Sequence, residues 1–111
     1  MVDDQAAFRS VARDLLEQDG FEVVGEAAGA ADALRIEREL RPDVVLLDVR
    51  LPDGSGLDVA HTLRGQDVPP SVVLVSTADY RFATRGCGAR GFLLKADLSA
   101  AALRDVLSMS P

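Results

Sequence analysis

The sequence VVLLD at residues 44–48 decides the fold, because four consecutive apolar residues end abruptly in a carboxylate. Pro42 precedes this run and Pro52 follows it, so the run predicts a short strand that is buried on both faces. Such a strand belongs in a parallel sheet covered by helices, and its carboxyl end opens onto the edge where these sheets bind ligands. Asp48 therefore lies on the floor of a predicted site, although an Asp at a strand end also often caps the next segment.

Composition restricts the class of protein. A chain of 111 residues with 48% hydrophobic and 27% charged residues predicts one globular domain, and a net charge of −6 disfavours direct binding to nucleic-acid phosphates. The apolar runs are far shorter than the roughly 20 residues that span a bilayer, and the amino terminus lacks the features of a signal peptide. The single cysteine, Cys87, cannot form an internal disulfide. We therefore expect a cytoplasmic protein that binds neither membrane nor nucleic acid.

Apolar spacing predicts that helices and strands alternate along the chain. The predicted helices cover residues 5–19, 30–40, 57–64, 79–87 and 99–109, and the predicted strands cover residues 21–27, 44–47, 71–75 and 91–94. Val11 and Leu40 are among the residues expected to face inward, and Ser99 is the expected N-cap of the last helix. This alternation predicts a parallel sheet with helices on both faces, but only Val2 occupies the place of a first strand.

Reactive side chains follow the predicted strands. Asp48, Ser76 and Lys95 each end a strand, and Asp3 and Asp4 precede the first helix, so all five meet at one sheet edge. Three carboxylates that close repel each other unless a cation shares them, and hard oxygen ligands suit Mg²⁺. With the ammonium and the hydroxyl they form a receptacle for a tetrahedral dianion, in which a carboxylate is the natural nucleophile.

The order of these motifs resembles the receiver domain of two-component response regulators. The motifs are the leading Asp3-Asp4, VVLLD at 44–48, LPDGSG at 51–56, VVLVS at 72–76 and GFLLK at 91–95. The resemblance covers essentially the whole chain, so residues 1–111 are expected to be one receiver domain. It implies a flavodoxin-like, doubly wound parallel sheet of strand order 2-1-3-4-5, with helices on both faces and a truncated or missing first strand.

The resemblance also implies a role for each residue of the site. Asp48 would accept a phosphoryl group from a histidine kinase or a phosphotransfer protein. Mg²⁺ would be bound by Asp4 directly, by Asp3 mainly through water, by Asp48 and by the backbone carbonyl of Arg50. Lys95 would pair with Asp48 and then with the phosphoryl oxygens.

A switch is implied as well, with Ser76 turning toward the phosphoryl group and Phe92 swinging inward behind it. The output surface would comprise residues 79–87, residues 91–94 and the helix after Ser99. Such a domain is a signalling switch with self-directed phosphotransfer and autodephosphorylation, not a turnover enzyme. The GFLLKAD segment resembles receivers attached to helix-turn-helix DNA-binding domains, which suggests a role in transcription regulation through an output domain or protein outside this chain.

The residue after Lys95 departs from the family pattern, which usually has proline at that position. Here it is Ala96. The corresponding peptide bond is commonly cis in the family, and before a non-proline residue a cis bond costs about 3–4 kcal/mol. We nevertheless expect a cis Lys95–Ala96 bond that the site enforces.

The short first strand is the second departure. Loss of four or five buried aliphatic side chains removes roughly 6–15 kcal/mol, which matches the whole stability of a domain at about 5–15 kcal/mol. A truncated or misassigned start is our preferred explanation, and another segment or a second copy of the chain, forming a dimer, is the alternative. Without the strand, Asp3 and Asp4 lose their anchor and Mg²⁺ affinity should fall.

Two other functions compete with the switch. A degenerate receiver would act only as a binding or dimerisation module, its chemistry disabled by the damaged first strand. A small hydrolase of the aspartyl-phosphate type is disfavoured, because Arg50 stands where a second acidic residue is expected and no substrate-covering cap is encoded.

Overall fold

A parallel sheet lies at the centre of the computed structural model, which describes residues 1–82 and 86–108. The regular strands, in chain order, are β1 (Val44–Asp48), β2 (Arg50–Leu51), β3 (Gly54–Ser55), β4 (Ser71–Ser76) and β5 (Gly91–Leu94). β1, β4 and β5 form the sheet in that order, all parallel, whereas β2 and β3 form a small antiparallel hairpin. β1 and β4 are buried along most of their length, as their aliphatic, β-branched sequences require.

Helices cover both faces of the sheet. They are α1 (Ala6–Glu17), α2 (Ala30–Leu40), α3 (Gly56–Arg64) and α4 (Ala100–Ser108). One core cluster packs α2 and α3 against one face, and a second packs α1 and α4 against the other. The Ser99 hydroxyl accepts a hydrogen bond from the Ala102 N–H at 2.9 Å, so Ser99 is the N-cap that the sequence predicted. The doubly wound architecture is confirmed.

The first strand is reduced to a stub centred on Val2. The Val2 N–H donates to the Leu46 carbonyl at 2.7 Å, and the Val2 carbonyl accepts from the Asp48 N–H at 2.9 Å. On its other side, Val2 forms a parallel bridge with Ala27. The stub therefore lies between Ala27 and β1, which confirms the strand order 2-1-3-4-5 and the prediction of a truncated first strand.

The predicted second strand, residues 21–27, was wrong over most of its length. Only Ala27 forms a bridge, and residues 21–26 have no regular strand structure. The physical reason is the short stub, because a strand of a parallel sheet needs a neighbour to satisfy its backbone groups. Leu40, which was expected to face inward, is 47% exposed on α2 beside this irregular segment.

Three further expectations need correction. Residues 79–82 and 86–87 are turns or irregular structure where a helix was predicted, and residues 83–85 of that prediction lie outside the described residues, as does residue 109. The loop at 49–55 contains the β2–β3 hairpin. Val11 is 64% exposed, because the buried side of α1 is a narrow stripe centred on Ala12 and Leu16. Among the described helices, none is long and apolar enough to cross a membrane.

Candidate functional site

Three aspartates meet at the carboxyl edge of the sheet. Asp48 is the last residue of β1, and Asp3 and Asp4 directly follow the Val2 stub beside it. One carboxylate oxygen from each aspartate lies within 4.8 Å of the other two. Asp3 is fully buried and Asp48 nearly so, whereas Asp4 is exposed. The cluster thus has a closed floor and one carboxylate open to solvent.

Lys95 lies directly against this cluster. Its Nζ is 2.6 Å from Asp3 Oδ2 and 3.0 Å from Asp48 Oδ2, and only 10% of its side chain is exposed. The ring of Phe8, on α1, has its centroid 4.6 Å from the same Nζ. A cation over an aromatic face is attracted to it, so Phe8 helps to hold the ammonium in place. The site therefore combines three carboxylates with the fixed ammonium of Lys95.

The pKa values of Asp48 and Lys95 are both raised, but for different reasons. Burial raises the pKa of Asp48, and the Asp3 charge adds to the increase, against the opposing hydrogen bonds from Lys95 and the Arg50 N–H. Burial alone would lower the pKa of Lys95, but its hydrogen bonds to Asp3 and Asp48 outweigh burial and raise it. Lys95 is therefore permanently charged. The ionised form of Asp48 is destabilised by burial and by Asp3, and a further cation nearby would stabilise it.

The main chain after β1 also contributes to the site. The Arg50 N–H donates a hydrogen bond to Asp48 Oδ1 at 3.1 Å, which fixes the carboxylate from the hairpin side. The expected role of the Arg50 carbonyl as a metal ligand stays a prediction. The bond leaves Asp48 Oδ2 directed to Lys95.

Ser76 and Phe92 lie on neighbouring strands near the cluster. Ser76 is buried at the end of β4, one residue past Val75, which pairs with Asp48. Its hydroxyl accepts a hydrogen bond from the Ala78 N–H at 3.3 Å, so in this state it is engaged locally. Phe92 on β5 is half-buried against the α2–α3 side of the core. The structure thus brings the hydroxyl to the same edge as Asp48, without a contact to that carboxylate.

The predicted cis bond between Lys95 and Ala96 was wrong, since the described residues contain no cis peptide bond. Lys95 begins a 3-10 helix that runs to Asp97, and from that backbone its side chain reaches both carboxylates. A trans bond avoids a cost of about 3–4 kcal/mol, and the short helix makes the cis form unnecessary for the lysine contact.

Sequence reasoning missed the structural role of Gly56. Its N–H donates to the Val49 carbonyl at 2.8 Å, and a Cβ added there would lie only 2.1 Å from the backbone oxygen of Asp48. α3 therefore begins in direct contact with the main chain of the central aspartate. The glycine pair in LPDGSG was the available signal, because a glycine next to a site often marks close backbone approach.

Two further side chains, those of Asp53 and Arg9, connect segments that surround the aspartate cluster. Asp53, in the hairpin, accepts hydrogen bonds from the Ala30 and Ala31 N–H groups at 2.6 and 3.1 Å and so caps α2. Arg9, on α1, donates to the carbonyl of Asp3 and to Glu26 Oε1, the latter at 3.0 Å. α1 thus supports the main chain of Asp3, although the strand that carries this residue is short.

Comparison with known proteins identifies this arrangement. A sequence model described as the response regulator receiver domain matches residues 1–107. The nitrate/nitrite response regulator protein NarP of Escherichia coli is 39% identical over 99 residues, which are 86% of this chain and 46% of that protein. Response regulator GacA of Pseudomonas aeruginosa is 37% identical over 99 residues, again 86% of this chain and 46% of the relative. The chain spans about half the length of the curated relatives that it matches.

Solved structures agree with the sequence comparison. A two-component response regulator of the LuxR family from Aurantimonas superposes with a TM-score of 0.85 at 30% identity, covering 99% of this chain and 86% of that one. The activated amino-terminal receiver domain of RstA from Klebsiella pneumoniae gives a TM-score of 0.85 at 27% identity, covering 97% and 96%. The chain therefore belongs to the response regulator receiver domain family of two-component systems.

Proposed function

We propose that this domain is a phosphoacceptor switch in which Asp48 accepts a phosphoryl group from a histidine kinase or a phosphotransfer protein. The observation that carries the proposal is the position of the Lys95 ammonium, within 3.0 Å of both Asp3 and Asp48 and beside a third carboxylate. A fixed cation next to a nucleophilic carboxylate neutralises charge on an incoming phosphoryl group, which is the main task in phosphoryl transfer.

We infer that Mg²⁺ is the cofactor, and the donor set fits it. Three carboxylate oxygens lie within 4.8 Å of one another, and oxygen ligands from a few carboxylates with room for water suit this ion. Asp4, Asp48 and the Arg50 carbonyl would hold the metal, with Asp3 acting through water. When bound, the ion would neutralise the carboxylate cluster and the phosphoryl oxygens.

The chemical step is a displacement at phosphorus. An oxygen of the Asp48 carboxylate forms the new bond to phosphorus, and the phosphorus–nitrogen bond to the donor's histidine breaks, its electron pair staying on the imidazole. Lys95 donates hydrogen bonds to the transferred oxygens. Hydrolysis of the resulting acyl phosphate by water resets the domain, so the chemistry is self-directed and the domain is not a turnover enzyme.

Phosphorylation would be read out through Ser76 and Phe92. Ser76 lies on the strand next to Asp48 and its oxygen now accepts from the Ala78 N–H, so rotation of the side chain away from Ala78 would bring its O–H to a phosphoryl oxygen. Phe92 lies on the neighbouring strand β5, two residues before the position that pairs with Ser76, so movement of the hydroxyl would let the ring shift. Phosphorylation would then shift this region from one packing to another, and this shift would change a protein–protein surface that includes β5 and α4.

The wider setting is part of the proposal. Residues 1–111 would form one cytoplasmic receiver domain, and several relatives are titled transcription regulators, among them PdtaR of Mycobacterium tuberculosis. A DNA-binding output domain or a separate output protein would receive the signal, and the receiver itself would contact neither nucleic acid nor membrane. Dimerisation of the receiver would couple phosphorylation to that output.

The test is incubation with Mg²⁺ and acetyl phosphate, followed by intact mass measurement. The expected result is the addition of one phosphoryl group, absent in Asp48→Asn and retained in Asp58→Asn, which changes an exposed aspartate on α3. No addition to the unmodified chain would overturn the switch and support the degenerate binding module, which the truncated first strand favours. Continuous release of phosphate at high turnover would support a hydrolase instead.

A further inference from the structure

The aromatic ring of Phe8 lies at the edge of the aspartate cluster. Its centroid is 4.6 Å from Lys95 Nζ, within the distance of about 6 Å at which a cation is attracted to an aromatic face. Only 10% of the Lys95 side chain is exposed, so little water competes with the ring for the ammonium. Because the attraction is strongest for a desolvated cation, the ring is placed to act on the charge of Lys95.

The ammonium of Lys95 lies beside two carboxylates and this ring. Its Nζ is 2.6 Å from Asp3 Oδ2 and 3.0 Å from Asp48 Oδ2. A lysine ammonium is a compact charge at the end of a flexible stem of four carbons, and its donors rotate. The two carboxylate contacts therefore leave the stem able to turn, and the contact with Phe8 restricts it further. The ring thus adds a constraint on the cation from a different element of the fold, α1.

The position of the ring is fixed by the start of α1. The N–H of Gln5, directly before α1, donates to Asp3 Oδ1 at 2.8 Å. Arg9, the residue after Phe8, donates to the carbonyl of Asp3. Phe8 also packs against the core cluster between α1 and α4. α1 is thus bonded to the same aspartate that Lys95 contacts, so local bonds set the distance between the ring and the ammonium.

We propose that Phe8 is a positioning residue for phosphoryl transfer, and that it acts on the Lys95 ammonium through the electron-rich face of its ring. This role rests on the proposed function, in which Lys95 donates to the transferred oxygens. The ring holds the ammonium next to Asp48 by electrostatic attraction, which an aliphatic side chain does not supply. Phe8 acts only through Lys95, so it is not a catalytic residue.

An aromatic face suits a cation that has to change partners. The attraction depends on the charge of the cation and the quadrupole of the ring, and it does not require one N–H to point at one acceptor. When a phosphoryl group arrives at Asp48, the ammonium can turn its donors to the phosphoryl oxygens while it stays over the ring. A further carboxylate in place of Phe8 would add negative charge where a dianion arrives. The ring therefore fixes the cation without repelling the incoming group.

Phe21 offers a matched control in the same core cluster. The guanidinium carbon of Arg104 is 5.2 Å from the centroid of the Phe21 ring, so this ring also pairs with a cation. Both Phe8 and Phe21 pack against the core between α1 and α4. Arg104 donates to the carbonyl of Asp19, which follows the far end of α1. A weaker ring quadrupole at Phe21 should therefore affect stability, as it would at Phe8, but leave phosphorylation unchanged.

Fluorination of one ring at a time tests the electrostatic part of the proposal. Fluorine withdraws electron density from the face of a phenylalanine ring, whereas the shape of the side chain changes little. A graded series of fluorinated phenylalanines is introduced at position 8 alone, and the same series at position 21 alone. Phosphorylation by acetyl phosphate is followed by intact mass at saturating Mg²⁺, so that differences in metal binding do not enter the rate constants.

The phosphorylation rate constant should fall step by step along the Phe8 series, by roughly 2- to 30-fold in total, which corresponds to the strength of a cation–π contact. The Phe21 series should change it by less than about twofold, since distant sites act independently. Phe8→Leu, which keeps an apolar side chain without a ring, should match the most fluorinated chain. An unchanged rate along the Phe8 series, or an equal fall in both series, would overturn the proposal.

A double-mutant cycle tests the contact without phosphorylation. Phe8→Leu is compared in the chain with Lys95 and in Lys95→Met by urea unfolding. It should lower the folding equilibrium constant by roughly 2- to 30-fold more where Lys95 is present, and equal effects would refute the hold on the ammonium. The fluorinated chains retain Lys95, so the first test does not depend on the folding of Lys95→Met.

The two experiments also separate this role of Phe8 from the proposed function. A chain that takes up no phosphoryl group would refute the proposed function, and the positioning role would fall with it. A chain that is phosphorylated, but whose rate is insensitive to fluorine at Phe8, would refute the positioning role alone.

Discussion

Replacement of Gly56 by alanine should disturb the centre of the site through the main chain. The added Cβ would lie 2.1 Å from the Asp48 oxygen and 2.9 Å from the Asp48 carbonyl carbon. Ordinary contacts of a Cβ begin at about 3.4 Å, so the backbone of β1 or of α3 must move by about 1 Å. Asp48 and Gly56 are buried, and the Gly56 N–H is bonded to the carbonyl of Val49, the residue after Asp48, which leaves little room for that movement.

The size of the effect follows from comparison with Gly65, at the other end of α3. A Cβ at Gly65 would lie 3.5 Å from the backbone oxygen of Thr62, which is an ordinary contact distance. Gly65→Ala should therefore be neutral or stabilise by up to about 1 kcal/mol, through the unfolded chain. Overpacking in a core costs about 1–3 kcal/mol, so Gly56→Ala should be less stable than Gly65→Ala by about 1–4 kcal/mol.

Urea unfolding of the two variants measures this difference directly. Domain stability is about 5–15 kcal/mol, so a loss of this size shifts the urea midpoint clearly. Binding of Mg²⁺ should weaken in Gly56→Ala only, because the displaced backbone carries Asp48. Equal midpoints for the two alanine variants would show that the contact between Gly56 and Asp48 relaxes freely, and would refute the reasoning.

Three other predictions concern charge and capping. Because the folded-state pKa of Asp48 is raised above 3.8, the free energy of unfolding without metal should decline as pH rises through that value to the raised pKa. Asp48→Asn should lack this decline and be more stable at neutral pH in urea titrations with chelator. Lys95→Met should cost about 3 kcal/mol without metal, because two buried carboxylates lose their counter-ion, and added Mg²⁺ should restore part of it in thermal melts. Ser99→Ala should cost about 1 kcal/mol in urea, whereas Ser10→Ala, at an exposed position of α1, should change stability by less than about 0.5 kcal/mol; equal effects would deny the cap.

Local patterns in the sequence were sufficient for most of the architecture. α2 and β5 begin and end at the predicted residues, because capping groups, prolines and apolar periodicity act within a few residues. The stub at Val2 was also predicted, since a missing apolar run is visible in the sequence, whereas the strand order was implied only by the resemblance to receiver domains. The segment at 21–27 could not be predicted in the same way. Its residues have strand propensity, but a strand depends on a neighbour that is distant in sequence.

The sequence by itself determined which chemical groups arrive at the sheet edge, because each of Asp48, Ser76 and Lys95 directly ends a buried apolar run. Only the tertiary structure decided how these groups meet. It placed one ammonium between two carboxylates, kept the Ser76 hydroxyl on a local bond, set Gly56 against the Asp48 main chain, and left a cavity of about 450 Å³ between residues 21–26 and β1. The reason is physical, since side-chain identity is encoded position by position, whereas contact distances and cavities result from the packing of segments that are far apart in the chain.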